Sequence, residues 1–276
     1  MQEAVAYHER HKPQALVISR RGNVEVEVYG GGFDAGKPHA LYSGTKSFWG
    51  PLALLARREG LFELDESVGA TFPSWRDDPV KRQVTIRQLL TLTAGIGFGG
   101  LGNAVPVYEK ALAVQLKDRP GARFKYGGIP LQIFGAILAE KLKTRGLTPH
   151  DYLQATLLEP ARVQIATWRK LADGARPLPT GAFLTARNWL AYGEYVLARH
   201  DEFAECFKGT AANPRYGLCW WLGPPGSPPG TMYASGSGGQ ALYVVPSLQC
   251  VAARFGGGGS FKHDAFLKRL AAALSS

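Results

Sequence analysis

The sequence predicts a mixed α/β (α+β) protein, in which an antiparallel sheet is built from both termini, flanked by helices and joined to an inserted all-helical lobe. Three observations predict it: strand patterns near the N-terminus, helical patterns through the middle, and strand-length apolar segments in the last third. We expect a discontinuous sheet domain formed by residues 1–60 and 200–276, a helical domain formed by residues 61–199, and an active site between them.

The N-terminal strands are predicted from a short apolar run at residues 15–19 and a period-two alternation at residues 24–28. The Arg21-Gly-Asn23 segment between them is typical of a hairpin turn. Strand-length apolar segments return at residues 217–222, 240–245 and 250–255, and an amphipathic helix at residues 261–274 closes the chain.

The helical middle follows a buried helix that begins at Ser43, where apolar residues recur at three- and four-residue spacing until Gly60 ends it. Thr85 is a good N-cap for a second helix. Further helical patterns cover residues 108–117, 129–142, 150–158 and 186–198.

The composition is that of an ordinary globular protein of 276 residues, with 45% hydrophobic and 20% charged residues. The net charge of +10 favours a solubilising surface, and a bias toward anionic substrates is an open alternative. The basic residues are spread along the chain and no nucleic-acid-binding module is recognisable, so we expect no nucleic-acid partner. No apolar stretch reaches the roughly 18 residues of a membrane-spanning helix.

The first residues of the chain as given carry no apolar signal core. This leaves open a cytoplasmic location and a periplasmic or secreted one with a trimmed signal, and the oligomeric state is equally open. Cys206, Cys219 and Cys250 show no metal-ligand spacing and are predicted to be buried free thiols. His8 and His11 have no evident third ligand nearby, so we expect neither a metal nor a cofactor.

The catalytic prediction depends on Ser43-Gly-Thr-Lys46, the only Ser-x-x-Lys sequence in the chain. Residues i and i+3 of a helix share a face, so the Lys46 amine can approach the Ser43 hydroxyl and take its proton. The helix dipole and burial should lower the pKa of such a lysine, and the N–H groups at the helix start can hold an oxyanion. Taken alone, the motif equally suits an N-capping serine beside a solvated lysine.

The surrounding segments resemble the serine β-lactamase and penicillin-binding-protein superfamily, specifically its branch of class C β-lactamases and family VIII carboxylesterases. The resemblance runs over nearly the whole chain. The matching segments are Tyr42-Ser-Gly-Thr-Lys-Ser-Phe48, Gly60-Leu-Phe-Glu-Leu-Asp-Glu-Ser-Val68, Thr85-Ile-Arg-Gln-Leu-Leu-Thr-Leu-Thr-Ala-Gly95, Pro120-Gly-Ala-Arg-Phe-Lys-Tyr126, Tyr216-Gly-Leu-Cys-Trp-Trp221 and Gly238-Gly-Gln240. The resemblance implies the β-lactamase/DD-peptidase-like fold and hydrolysis through an acyl-enzyme.

The resemblance also implies roles for residues outside the Ser-x-x-Lys motif. Tyr126 matches the tyrosine that accepts and donates a proton beside the Ser–Lys pair. The Ser237 amide matches the second oxyanion-hole donor, which acts together with the Ser43 amide. The residues expected to contact the substrate are Tyr42, Phe98, Gly128, Trp220, Trp221, Ser235 and Gly236, although core packing is the expected role of at least one of the two tryptophans.

Two departures from the family pattern shape the expected substrate. Gly128 stands where the family has an asparagine that engages a substrate amide, and Ala234 stands where it has a cation that engages a β-lactam carboxylate. Small esters need neither group, so the leading hypothesis is a carboxylesterase with Ser43 as nucleophile. The alternatives are a β-lactamase or a hydrolase of D-amino-acid or ω-amino-acid amides, and a catalytically weak penicillin-binding-like protein.

Overall fold

The computed structural model describes residues 1–258 and 260–275. Its strands are β1 (Pro13–Arg20), β2 (Asn23–Tyr29), β3 (His39–Ala40), β4 (Thr167–Trp168), β5 (Ala182–Leu184), β6 (Trp221–Leu222), β7 (Met232–Gly236), β8 (Gln240–Val245) and β9 (Cys250–Gly256). Within those residues, six strands form a fully antiparallel sheet in the order β2-β1-β9-β8-β7-β6. The predicted sheet from both termini is therefore confirmed.

The N-terminal hairpin forms as predicted, because the turn residues Arg21 and Gly22 both adopt positive φ angles of 51° and 78°. At the other end of the sheet, β7 was not predicted. Its sequence, Met-Tyr-Ala-Ser-Gly, shows no apolar-polar alternation because its first three residues and its last are buried. The predicted strand 217–222 is reduced to Trp221–Leu222.

The α-helices of the described residues are α1 (Gln2–Glu9), α2 (Trp49–Arg58), α3 (Pro73–Arg76), α4 (Ile86–Leu90), α5 (Tyr108–Leu112), α6 (Ile129–Leu142), α7 (Pro149–Leu153), α8 (Ala186–Ala198) and α9 (His263–Ser275). Thr85 caps α4 in a capping box with Gln88, as its sequence predicts. The helix predicted at 108–117 ends at Leu112, and α7 continues as a π-helix at Gln154–Leu158.

Two layers of helices cover the main sheet. Helix α8 packs on β9, β8 and β1, and a Cβ added at Gly193 would lie 2.5 Å from Val251, so this helix approaches the sheet closely. Helices α1 and α9 pack together against the opposite face. The segment 61–199, predicted to form the helical domain, thus includes α8, a helix that packs on the main sheet. It also contains β4 and β5, which pair with β3 in a small three-stranded sheet. The division into two domains stays a prediction.

Three further features bear on function. Cys206, Cys219 and Cys250 are buried free thiols, as predicted. In the described part of the chain, no three His, Cys, Asp or Glu residues lie together in a way that could hold a metal ion. Over the same residues, no helix has both the length and the apolar character needed to cross a membrane.

Candidate active site

The Ser-x-x-Lys motif lies in a 3₁₀ helix, Tyr42–Phe48, that leads directly into α2. A 3₁₀ helix has three residues per turn, so residues i and i+3 lie one above the other. Lys46 Nζ accordingly lies 3.0 Å from Ser43 Oγ. Tyr42, just before the serine, has a φ of 48°, a backbone conformation that costs an aromatic residue energy and marks a tightly constrained turn.

The Lys46 amine is almost completely removed from solvent, with a side chain 1% exposed. Its second contact is the carbonyl oxygen of Pro179, 3.1 Å from Nζ. Among the described residues Lys46 makes no ion pair with a carboxylate, and burial lowers its pKa to about 7. The amine is therefore largely unprotonated just above neutral pH, where it can accept a proton.

The Pro179 carbonyl is held in place by its neighbour Leu178. The Trp49 indole donates to the Leu178 carbonyl over 2.6 Å, and the Leu178 amide donates to the Gln132 side chain over 2.9 Å. Sequence reasoning missed this part of the site. A backbone carbonyl cannot be recognised from residue types, and Trp49 and Gln132 lie in helices whose sequence patterns are typical of buried core helices.

Tyr126 lies beside the Ser–Lys pair, with its ring centroid 4.9 Å from Lys46 Nζ. The ring also stacks on Trp221 at a centroid distance of 5.7 Å. Burial raises the pKa of Tyr126 to about 12, although its hydrogen-bonding interaction with Ser43 acts in the opposite direction. The phenol is therefore protonated at neutral pH and is equipped to donate a proton.

Strand β7 runs next to the start of the 3₁₀ helix Tyr42–Phe48 because Gly236 has no side chain. A Cβ at Gly236 would lie 2.1 Å from the carbonyl oxygen of Leu41, two residues before Ser43. This close approach packs β7 against the 3₁₀ helix, and the turn Ser237–Gly239 follows directly at the end of that strand. Ala234 is 2% exposed and offers no polar group at the place of the family's cation.

Gly128 has no room for the asparagine of the family pattern. A Cβ at this position would lie 1.9 Å from the carbonyl oxygen of Gly100, in the glycine-rich loop that follows Gly95. The Gly128 amide also donates to the Gly99 carbonyl over 2.9 Å. The loop backbone thus occupies the space that an asparagine side chain would need.

Replacement of Gly128 by alanine should therefore destabilise the fold by roughly 2–4 kcal/mol, because a backbone carbonyl must move. Gly128→Asn should destabilise it at least as much and should not bring β-lactam turnover. The measurement is urea unfolding, with Gly36→Ala as control, since a Cβ at Gly36 meets nothing closer than 3.5 Å. Wild-type stability of Gly128→Ala would contradict this packing.

The other predicted pocket residues divide into two groups. Tyr42 and Phe98 are exposed by 47% and 73%, and Trp221 is partly exposed, so all three are accessible to a ligand. Trp220 is different: it is 0% exposed and its indole donates to the Ser47 carbonyl in the core. Trp220 therefore packs in the core, the role expected for at least one of the two tryptophans, and its contact with substrate stays a prediction.

Ser235 makes a contact that the sequence did not reveal. Its hydroxyl lies 3.2 Å from His263 Nε2, and His263 Nδ1 lies 2.6 Å from the Tyr243 hydroxyl. Burial lowers the pKa of His263 to about 4, so the imidazole is neutral at physiological pH. His263 begins α9, far from the motif in sequence, and no local pattern signals its approach to Ser235.

Comparisons with solved structures show the same fold at low sequence identity. A class C β-lactamase from Rhodobacter sphaeroides has a TM-score of 0.73 and 15% identity, with 100% of this chain and 99% of that chain covered. EstCE1, a hydrolase with promiscuous acyltransferase activity, has a TM-score of 0.77 and 16% identity over 100% of this chain and 96% of its own. A penicillin-binding protein from Bacillus halodurans has a TM-score of 0.73 and 16% identity, covering 98% of both chains.

The sequence comparisons locate the family. No curated protein sequence matches the chain. The Beta-lactamase family model matches residues 5–273, nearly the whole chain. The chain therefore belongs to the β-lactamase family and is a serine hydrolase of that superfamily.

Proposed function

We propose that this protein is a carboxylesterase for small esters, which acts through an acyl-enzyme on Ser43. The observation that supports it most is the pairing of Ser43 with a buried Lys46, 3.0 Å away and with its pKa lowered to about 7. In the structure Lys46 Nζ donates to Ser43 Oγ over 3.0 Å and to the Pro179 carbonyl over 3.1 Å. Once unprotonated, the amine can keep the Pro179 hydrogen bond and turn its lone pair to the serine hydroxyl. Lys46 is thus the base that activates Ser43.

The proposed reaction uses these groups in turn. Lys46 Nζ takes the Ser43 proton as Oγ attacks the ester carbonyl, and the Ser43 and Ser237 amides bind the oxyanion. Tyr126, protonated at neutral pH, donates its proton to the leaving alkoxide and regains one from the Lys46 ammonium. Water then attacks the acyl-enzyme with the same groups in the reverse roles and releases the acid.

The preference for esters is supported by the absence of two polar side chains at Gly128 and Ala234. The backbone of Gly100 fills the space beside Gly128, and Ala234 is apolar and buried. A substrate amide and a β-lactam carboxylate would therefore lose their hydrogen-bond and charge partners, and a site without such partners gives up that discrimination. An ester with a short apolar acyl group makes no such demand.

The test compares kcat/KM for p-nitrophenyl butyrate, nitrocefin and a D-alanyl amide panel. We expect turnover of the ester to exceed both others. Faster hydrolysis of nitrocefin or of the amides would replace the proposal with the β-lactamase or amidase alternative. Failure of a fluorophosphonate to label Ser43 would favour a catalytically weak binding protein, for which a buried lysine of lowered pKa has no use.

The pH dependence of the reaction offers a separate check. The pKa of Lys46 is lowered, so the base gains its active, unprotonated form as pH rises through about 7. We expect kcat/KM to increase about tenfold per unit below that pKa and to level off above it. Burial lowers the pKa of nearby His263 to about 4, outside this window. A flat profile between about pH 6 and 8, with the protein folded throughout, would rule out Lys46 as the base.

A further inference from the structure

Arg254, in the middle of β9, is the most unusual buried charge in the molecule outside the Ser–Lys pair. Its side chain is 0% exposed, and burial lowers its pKa to about 10, so it remains a cation at neutral pH. In residues 1–258 and 260–275, no carboxylate lies within ion-pair distance of it. A buried cation without a counter-ion is costly unless backbone dipoles replace the carboxylate.

Three partners of the guanidinium are backbone carbonyls, and two of these belong to the turn after β7; in addition, Nε donates to His8 Nδ1 over 3.4 Å. Nη1 donates to the Gly239 carbonyl over 2.7 Å and to the Gly238 carbonyl over 3.2 Å. Nη2 donates to the His11 carbonyl over 2.7 Å. Arg254 therefore ties the two glycines after Ser237 to the segment that follows α1, more than two hundred residues away in the chain.

The strand register explains how Arg254 reaches this turn. Arg254 pairs with Ala241 on β8, and Ala241 pairs with Ser235 on β7, so the three lie in one row across the sheet. The small Ala241 leaves space above the sheet for the arginine. Gly239 and Gly256 are needed too, because a Cβ at either position would lie 2.6 Å or 2.3 Å from a guanidinium nitrogen.

We propose that Arg254 is a positioning residue for catalysis: it fixes the Ser237–Gly239 turn so that the Ser237 amide faces the oxyanion. This proposal rests on the proposed function. Gly238 and Gly239 have φ angles of 81° and 82°, and a turn of two such glycines has many alternative conformations. Two carbonyls bound by one rigid, planar guanidinium select a single one. The buried charge also favours the negative oxygen electrostatically.

The experiment replaces Arg254 by methionine, which fills similar space without charge or donors. We expect kcat for p-nitrophenyl butyrate to fall about tenfold to a hundredfold with little change in KM, because the oxyanion forms only in the transition state. Labelling of Ser43 by a fluorophosphonate should slow by a similar factor. Arg254→Lys, which keeps the charge and one donor direction, should recover part of the loss.

The matched control is Tyr7→Phe, which removes the hydrogen bond from the Lys262 amide to the Tyr7 hydroxyl at the same helix layer but touches no part of the turn. We expect it to lower Tm and leave kcat unchanged. If Arg254→Met fails to fold, Gly256→Ala displaces the guanidinium by a Cβ while keeping the charge, and should lower kcat in the same way. Wild-type kcat in Arg254→Met, or in Gly256→Ala where Met does not fold, would overturn the proposal. Activity that survives Ser43→Ala would instead defeat the proposed function.

Discussion

Ser43→Ala is expected to lower kcat for p-nitrophenyl butyrate by roughly 10³-fold or more, to the background left by binding and the oxyanion hole. The reason is that no acyl-enzyme can form without Ser43 Oγ, which is the hydroxyl oxygen that Lys46 Nζ contacts over 3.0 Å. Intact-mass spectrometry should show a fluorophosphonate adduct on the native protein and none on the variant.

The matched control for this variant is Ser47→Ala. Ser47 lies in the same 3₁₀ helix, is fully buried and donates only to the Gly44 carbonyl over 2.8 Å. Its loss should cost about 1 kcal/mol of stability and leave the adduct in place. Turnover by Ser43→Ala equal to that of Ser47→Ala would refute the nucleophile assignment.

The second large effect is expected for Lys46→Met, which should lower kcat/KM for the ester by about 10²- to 10⁴-fold. Methionine matches the length of the lysine stem but cannot take the Ser43 proton. The residual rate should also lose its rise with pH through about 7, because that rise belongs to the lysine. The measurement is a full pH–rate profile of both proteins.

Stability distinguishes a lost base from a damaged fold. The pKa of Lys46 is lower in the folded state than in the unfolded chain, so the unfolded state binds the extra proton between about pH 7 and 10.5. Burial of this lysine therefore destabilises the folded state most at pH 7 and below. This destabilisation decreases as the pH rises and is lost above 10.5. We expect Lys46→Met to keep or raise Tm at neutral pH. A large drop in Tm together with the lost activity would instead indicate that Lys46 is mainly structural.

The sequence by itself predicted the architecture and the approach of Lys46 to Ser43. Local patterns were sufficient where one residue or one spacing controls the structure. The Arg21-Gly22 turn produced the hairpin, Thr85 capped its helix, and Ser43 and Lys46 lie in contact because they are three positions apart on a 3₁₀ helix. The aligned family segments then added Tyr126, which lies beside Lys46.

The tertiary structure decided what sequence spacing could not express. The Pro179 carbonyl on Lys46, the Gly100 carbonyl beside Gly128 and the guanidinium of Arg254 under the Ser237 turn all join segments distant in the chain. The first two contacts are made by backbone carbonyls, which every residue carries. The third is made by Arg254, whose sequence position shows only one charged residue within an apolar strand. Their effect depends on burial and close approach, which exist only once the chain has folded.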